Sequence, residues 1–240
     1  MEQCRSLLLP FEETDFCSNP TAQSPLRFCT PAARFFEQYE PKLTFMTMCV
    51  TTTARHEMPI VAAYTGDLPS NIMCYHRLNT FASRTIAPHF YTADTHLHNY
   101  LQQIFQVESK LRHFHCSIAI DFSMTSEMTT TQKQYASFLN KLWAAWLQSR
   151  GHSVIPNVSF PDEVEKDYWL EGWPTHSVVA VSSVGVIRHG NPAIWLRGME
   201  RIRQELQPIH ILRYGSKIEG ENTDHCTYFL NDNKRAAYGW

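Results

Sequence analysis

The spacing of apolar and polar residues changes period several times along the chain, and each change marks an element. CSIAIDFS (Cys116 to Ser123) is almost wholly apolar and closes on polar residues. Strands buried on both faces read this way, which favours a parallel sheet. A helical period follows. Tyr135, Phe138, Leu139, Leu142, Trp143 and Trp146 recur at threes and fours and predict a helix from about Glu127 to Arg150. Ser126 is its expected N-cap and Gly151 the glycine beyond its end. The strand HSVIPNVSF comes directly after. Strand, helix, strand is a βαβ unit with a right-handed crossover.

The pattern then repeats. SVVAVSSVG (Ser177 to Gly185) reads as another buried strand. Asn191-Pro192 starts a helix as N-cap and first helical residue. Trp195, Met199, Ile202 and Leu206 form its apolar stripe, and Pro208 ends it. IHILRYGS (Ile209 to Ser216) is the next strand, and Cys226 to Leu230 is a further short one.

Upstream, prolines 10, 20, 25 and 31 punctuate an irregular arm over residues 1–30, with a short helix expected from Thr30. Thr44 to Thr52 and Pro59 to Tyr64 are rich in β-formers and read as strands. A helix is expected from about Leu97 to Lys110. The whole describes one α/β domain over 1–240, with the tail 219–240 packed on it. Its sheet is mostly parallel with flanking helices, either open and three-layered or partly barrel-like.

Composition narrows the class. The chain has 240 residues, 43% apolar and 18% charged, with a formal charge of −2, so a full core is expected and disorder is not. Neither end carries a charged tail that would draw nucleic acid or membrane. A local excess of Arg188, Arg197, Arg201, Arg203, Arg213 and Lys217 over Glu200 and Glu205 reads as a solvated helix face or as a phosphate-facing patch. Seven widely spaced cysteines form neither a disulfide framework nor a zinc motif, which fits reduced thiols and a cytoplasmic setting. The N-terminal Leu7 to Leu9 run is too short for a signal peptide, and no run reaches the roughly 18 apolar residues of a membrane span.

In parallel α/β sheets ligands bind beyond the carboxyl ends of the strands. The strand ends deliver Asp121 and Ser123, Asn157 and Ser159, Ser182, Ser183 and Gly185, and Tyr214, Gly215 and Ser216. This rim suits a phosphate, a sugar or a nucleotide. The same residue types also cap helices and make turns.

Several of these residues recur in a resemblance. DFSM, the long helix with its W-L-Q, G-x-x-VIPNVSF, the Asp162-Glu163 pair, an aromatic-x-x-G-x-P, SVVAVSSVG and P-x-x-I-x-x-YGS stand in the order of a bacterial and phage family known as domain of unknown function 4417. MPIVAAYTGDLP and HFYTAD look like its upstream segments. The chain resembles this family over roughly residues 57–218. The matching positions are Asp121, Ser123, Pro156, Asn157, Asp162, Glu163, Gly172, Pro174, Ser182, Gly185, Tyr214 and Gly215. Phe160 and Trp173 depart from its pattern. The resemblance implies a mobile-element origin and no particular chemistry.

Other constellations are bland beside their sharp readings. His96 and His98 have the H-x-H spacing of some metallohydrolases, with His115, Asp121 and His189 as further ligands, or are simply helix-start histidines. His113 and His115 repeat the spacing. Asp162 and Glu163, with Glu165 and Asp167, are placed to bind magnesium or to open a helix whose dipole favours acids. Trp169, Trp173 and Trp240 fall in loop or terminal contexts, where aromatics stack bases or fill an interface. No P-loop, G-x-G-x-x-G, G-x-S-x-G or H-E-x-x-H occurs.

Three readings stay open. The first is a phage or mobile-element accessory protein binding nucleic acid or a nucleotide at the rim. The second is a magnesium-dependent phosphoester hydrolase or transferase using Asp121, Asp162 and Glu163. The third is a non-catalytic protein that engages a host protein or forms a homo-oligomer.

Overall fold

The computed structural model describes residues 42–78, 85–184 and 191–231. The chain divides into two compact units, Met1–Phe45 and Met46–Trp240. The expected arm, the helix from Thr30, Gly185, His189, Arg188 and Trp240 lie outside the described residues.

In the second unit, the described residues include seven strands with helices between some of them. They are β1 (Asn71–Cys74), β2 (Ile86–His89), β3 (Ser117–Ile118), β4 (Val154–Ile155), β5 (Val178–Ser182), β6 (His210–Tyr214) and β7 (Cys226–Phe229). The helices are α1 (Asp94–Gln102), α2 (Ile104–Leu111), α3 (Thr130–Ser149) and α4 (Pro192–Arg201). Every pairing of these strands is parallel: β1 with β2, β3 with β4, and β5 with β6 with β7. A parallel bridge from Asn157 to Ala180 joins β4 to β5, and β2 lies against β3. The fold is α/β with small open parallel sheets in chain order.

The sheets do not lie flat. Four strand spacings separate β2 from β6, about 19 Å in a flat sheet. Yet Tyr91, just past β2, stacks on Tyr214 at the end of β6, with ring centroids 4.6 Å apart. The wall is therefore rolled. Its inner face meets in one core cluster that includes Ile72, Ala87, Ile118, Ile155, Ala180 and Leu212.

The helices follow from local signals, with differences from expectation. Helix α3 has its N-cap at Thr129, three residues after Ser126, because Thr129 and Gln132 form a reciprocal capping box. Gly151 has φ +86 beyond its end, as its position predicts. On its stripe Leu139, Leu142, Trp143 and Trp146 are buried, but Tyr135 is exposed. The expected helix from Leu97 to Lys110 is two, broken at Gln103, because α1 and α2 keep one apolar rhythm across the break and periodicity does not show it. Asn191 caps α4 through Ala193 N–H with Pro192 at N1. One π-helical turn, Ile202–Leu206, follows before Gln207 turns left-handed.

Residues 42–48 are helical rather than part of a strand, since β-propensity there yields to the burial of Met46. Residues 60–64 join no ladder. Gln148 brackets Ala62 instead, giving to its carbonyl and taking from its N–H. Only Ser117–Ile118 of the Cys116 run pairs as a strand, although Ile118, Ala119 and Ile120 are all fully buried. Asp162 stands in a bend and Glu163 in irregular backbone rather than opening a helix. Trp169 and Trp173, expected in loop contexts, are buried. No helix among the described residues is long and apolar enough to cross a membrane.

Between β6 and α4 lies a fully buried ion pair. Arg213 meets both Glu221 oxygens, gives Nη1–H to the Val181 carbonyl at 3.1 Å, and lies over the Trp195 ring. Such a pair contributes little net stability, but half of one leaves an uncompensated charge. Glu221→Gln is expected to lower the unfolding free energy by about 3 kcal/mol in urea titrations at pH 7. A loss under about 1 kcal/mol would mean that solvent already reaches Arg213.

Candidate functional site

The rolled wall brings the carboxyl ends of β2, β3, β4, β5 and β6 to one mouth, and Asn157 holds it together. Its side chain is buried. Its Oδ1 accepts the Tyr91 hydroxyl at 2.9 Å, and its Nδ2 donates to Asp121 Oδ1 at 2.9 Å and to the Ile120 carbonyl at 3.4 Å. Its neighbours bond across to Ala180, which accepts from Val158 N–H and donates to the Pro156 carbonyl. One residue thus ties the ends of β2, β3, β4 and β5.

Asp121 sits at the centre. Burial pushes its carboxyl up to about 6, and the nearby Asp94 charge adds to the shift, while hydrogen bonds from Asn157 and Ser159 oppose it. Ser159 also takes a bond from Asn140 Nδ2 of α3 at 3.2 Å, and Asn140 brackets Phe122 through its N–H and carbonyl. Tyr91 and Tyr214 stack beneath, with the His89 ring against both. Burial raises the Tyr91 phenol well above its ordinary range, so it stays a donor to Asn157.

The remaining rim residues divide. Ser123 is exposed and bonds Asp94 through its N–H and its hydroxyl, the latter at 3.0 Å. Ser182 is half-buried, and its hydroxyl accepts Val184 N–H at 3.2 Å, a turn contact. Ser183 is buried and donates to the Ser216 carbonyl at 2.7 Å, which pins the end of β5 to that of β6. Gly215 has φ +104, and a Cβ there would come within 2.8 Å of Ser183 Oγ, so glycine is required at this crossing. Ser216 lies half-buried beside it. The Tyr214 hydroxyl reaches Asn231 Oδ1 at 3.2 Å.

Asp162 and Glu163 do not join Asp121. Lys133 of α3, itself buried, bonds Asp162 at 2.5 Å and lies 3.5 Å from Glu163, which also accepts from the Thr130 hydroxyl. These carboxylates serve to fasten the segment after β4 to α3. His96 is exposed on α1, whereas the His98 ring packs on Phe122, and residues two apart on a helix face apart. His115 lies before β3 and Asp121 after it, at opposite ends of that strand. No group of three or more His, Cys, Asp or Glu side chains among the described residues is placed to hold a metal ion.

Sequence reading missed the buried polar stripe of α3. Lys133, Ser137, Asn140 and Lys141 lie on one face of the helix, so the signal was helical and polar rather than apolar. Lys141 donates to Ser137 at 2.5 Å and to the Trp169 carbonyl at 3.2 Å, and lies over Trp173. Burial brings its ammonium down to about 7, against the pull of Glu171. Tyr91 and His89 were missed because nothing in their local sequence predicts that they meet β6.

The family described as a domain of unknown function (DUF4417) matches residues 50–231. The chain is 23% identical over 139 residues to the "Gene 1 protein" of Mycobacterium phage L5, covering 58% of this chain and 61% of that protein. It is 24% identical over 127 residues to the "Gene 1 protein" of Mycobacterium phage D29, covering 50% and 47%. The chain thus spans about half to three fifths of the length of these relatives. No solved structure matches.

The raised carboxyl of Asp121 sets a pH dependence. Its folded value lies above the ordinary 3.8, so the native state binds the proton more tightly than the unfolded chain. Stability is fullest below that ordinary value and is lost as pH rises through about 6. Asp121→Asn is therefore expected to raise Tm at pH 7.5 by roughly 2–4 °C, with the gap closing near pH 4. A lower Tm at pH 7.5, or a gain unchanged at pH 4, would contradict this.

Proposed function

The chain belongs to the DUF4417 family, and we propose that it is a phage protein that binds a nucleotide-sized, hydrogen-bonding ligand at the carboxyl ends of its parallel strands. The observation that carries this reading is Asp121, a carboxyl held at the mouth in surroundings that disfavour its charge. Keeping a buried carboxyl ionised at neutral pH costs stability, and costly groups collect where a protein acts. Ser123, Ser182 and Ser216 at the neighbouring strand ends carry hydroxyls of the kind that a sugar or phosphate would use. The phage origin is supported by the named relatives.

A single nucleotide suits this mouth better than a nucleic-acid strand. Three arginines of the basic stretch are engaged within the chain rather than offered to a backbone. Arg197 pairs with Glu165, Arg201 with Asp167 and Glu205, and Arg213 with Glu221. A second reading, an enzyme, is favoured by one feature. A carboxyl near 6 is poised to give or take a proton at neutral pH. In that case Asp121 is the acid–base group, and Asp162 and Glu163 remain fasteners.

Native mass spectra of the purified protein, titrated with nucleoside mono- and triphosphates, test the binding reading. A one-to-one adduct is expected that weakens about tenfold or more in Asp121→Ala and in Asn157→Ala, about 1.4 kcal/mol of binding. Folded variants that bind as well as the parent, or a parent that takes up none of the nucleotides, would overturn it.

A further inference from the structure

Outside the mouth, one cavity combines an apolar floor with a guanidinium that no carboxylate among the described residues neutralises. It measures about 500 Å³ and lies among α4, the segment at Val164 and the turn before β7. Ligand pockets commonly fall in this range. Val164 and Met199 are buried at its floor, with Leu196 half-buried beside them. None of its lining residues belongs to the strand-end rim.

The charges that line it are equal in number, three arginines and three glutamates, but not all of them are paired. Glu165 has Arg197, and both side chains are more than half exposed. Arg201 has Asp167 and Glu205. Glu200 accepts from Gln204 at 2.6 Å. Glu221 is spent on Arg213 in the buried pair. That leaves Arg203. Its Nη2 donates to the carbonyls of Asn222 and Asp224 at 2.9 and 3.0 Å and to Cys226 Sγ at 3.3 Å. Carbonyl dipoles satisfy hydrogen bonds but do not cancel a charge, and a half-buried guanidinium is less screened than one in water. Arg203 and the buried Arg213 both lie against β7, at Cys226 and at Tyr228.

We propose that this cavity is a second ligand site, for an amphipathic anion. An apolar body lies on Leu196, Met199 and Val164, and a carboxylate, sulfonate or phosphate head faces Arg203. Arg203 is held in place by the two carbonyls, so its side chain is already ordered before the ligand arrives. The loose Arg197–Glu165 pair at the edge is the contact that most readily opens, since an exposed pair contributes little.

The probe is 8-anilinonaphthalene-1-sulfonate, an aromatic sulfonate that fluoresces when its rings leave water. Saturable one-site binding to the folded protein is expected, displaced by octanoate and not by octanol at equal concentration. Leu196→Trp fills the floor, and Arg203→Gln removes the charge. Each is expected to weaken the probe about tenfold or more, while Arg203→Lys, which keeps the charge, stays within about threefold of the parent. Arg203 also braces the turn at residues 222–224, so Leu196→Trp carries the test if Arg203→Gln fails to fold. Unsaturable binding, displacement by octanol as good as by octanoate, or full affinity in Leu196→Trp would overturn the proposal.

Discussion

The carboxamide of Asn157 is the point on which the arrangement of strand ends turns. Parallel strands this short have few ladder bonds, and β3 and β4 contribute only two residues each. The bonds that continue the wall from β4 to β5 run through the backbone on either side of Asn157. Its side chain reaches the other way, to Tyr91 after β2 and to Asp121 after β3. A buried amide that loses such partners leaves several polar groups without solvent or bonds, at a cost of about 1–3 kcal/mol each. The roll of the wall, the Tyr91–Tyr214 stack and the position of Asp121 all depend on these bonds being made together.

The rest of the unit is fastened by charges placed inside rather than on the surface. Burial alone would push the Glu108 carboxyl up, but hydrogen bonds from His152, Arg150 and Arg112 hold it down to about 2. Lys133 gathers Asp162 and Glu163, Lys141 caps the carbonyls of the segment after them, and Arg213 holds Glu221. Such groups specify one geometry more than they add stability. Here they fix irregular segments, 159–173 and 216–222, for which no regular ladder exists. Those segments frame the mouth on one side and the Arg203 cavity on the other.

Much of this was legible in the chain. The βαβ rhythm, the apolar strands and the strand-end rule placed Asp121, Asn157, Ser182 and Tyr214 near one another from sequence alone. The Asn191-Pro192 start and Gly151 were local signals strong enough to hold. What local pattern cannot carry is the roll of the wall, because the contact between Tyr91 and Tyr214 spans more than a hundred residues. Nor can it tell a carboxylate that faces a ligand from one that fastens a loop. Asp162 and Glu163 have the composition of a site, and only the buried Lys133 shows that they are anchors. The strand at Asn71–Cys74 was unmarked because its four residues, one of them exposed, are too few to show a period.

Asn157 holds a carboxyl at the mouth in surroundings unfavourable to its charge. The direct measurement is the titration of the Asp121 carboxyl carbon by NMR, assigned by its loss in Asp121→Asn. A midpoint near 6 is expected in the parent. A higher midpoint is expected in Asn157→Ala, because the amide bond favours the ionised form and its removal leaves only Ser159 to oppose burial. A parent midpoint near 4, or one that Asn157→Ala leaves in place, would contradict it.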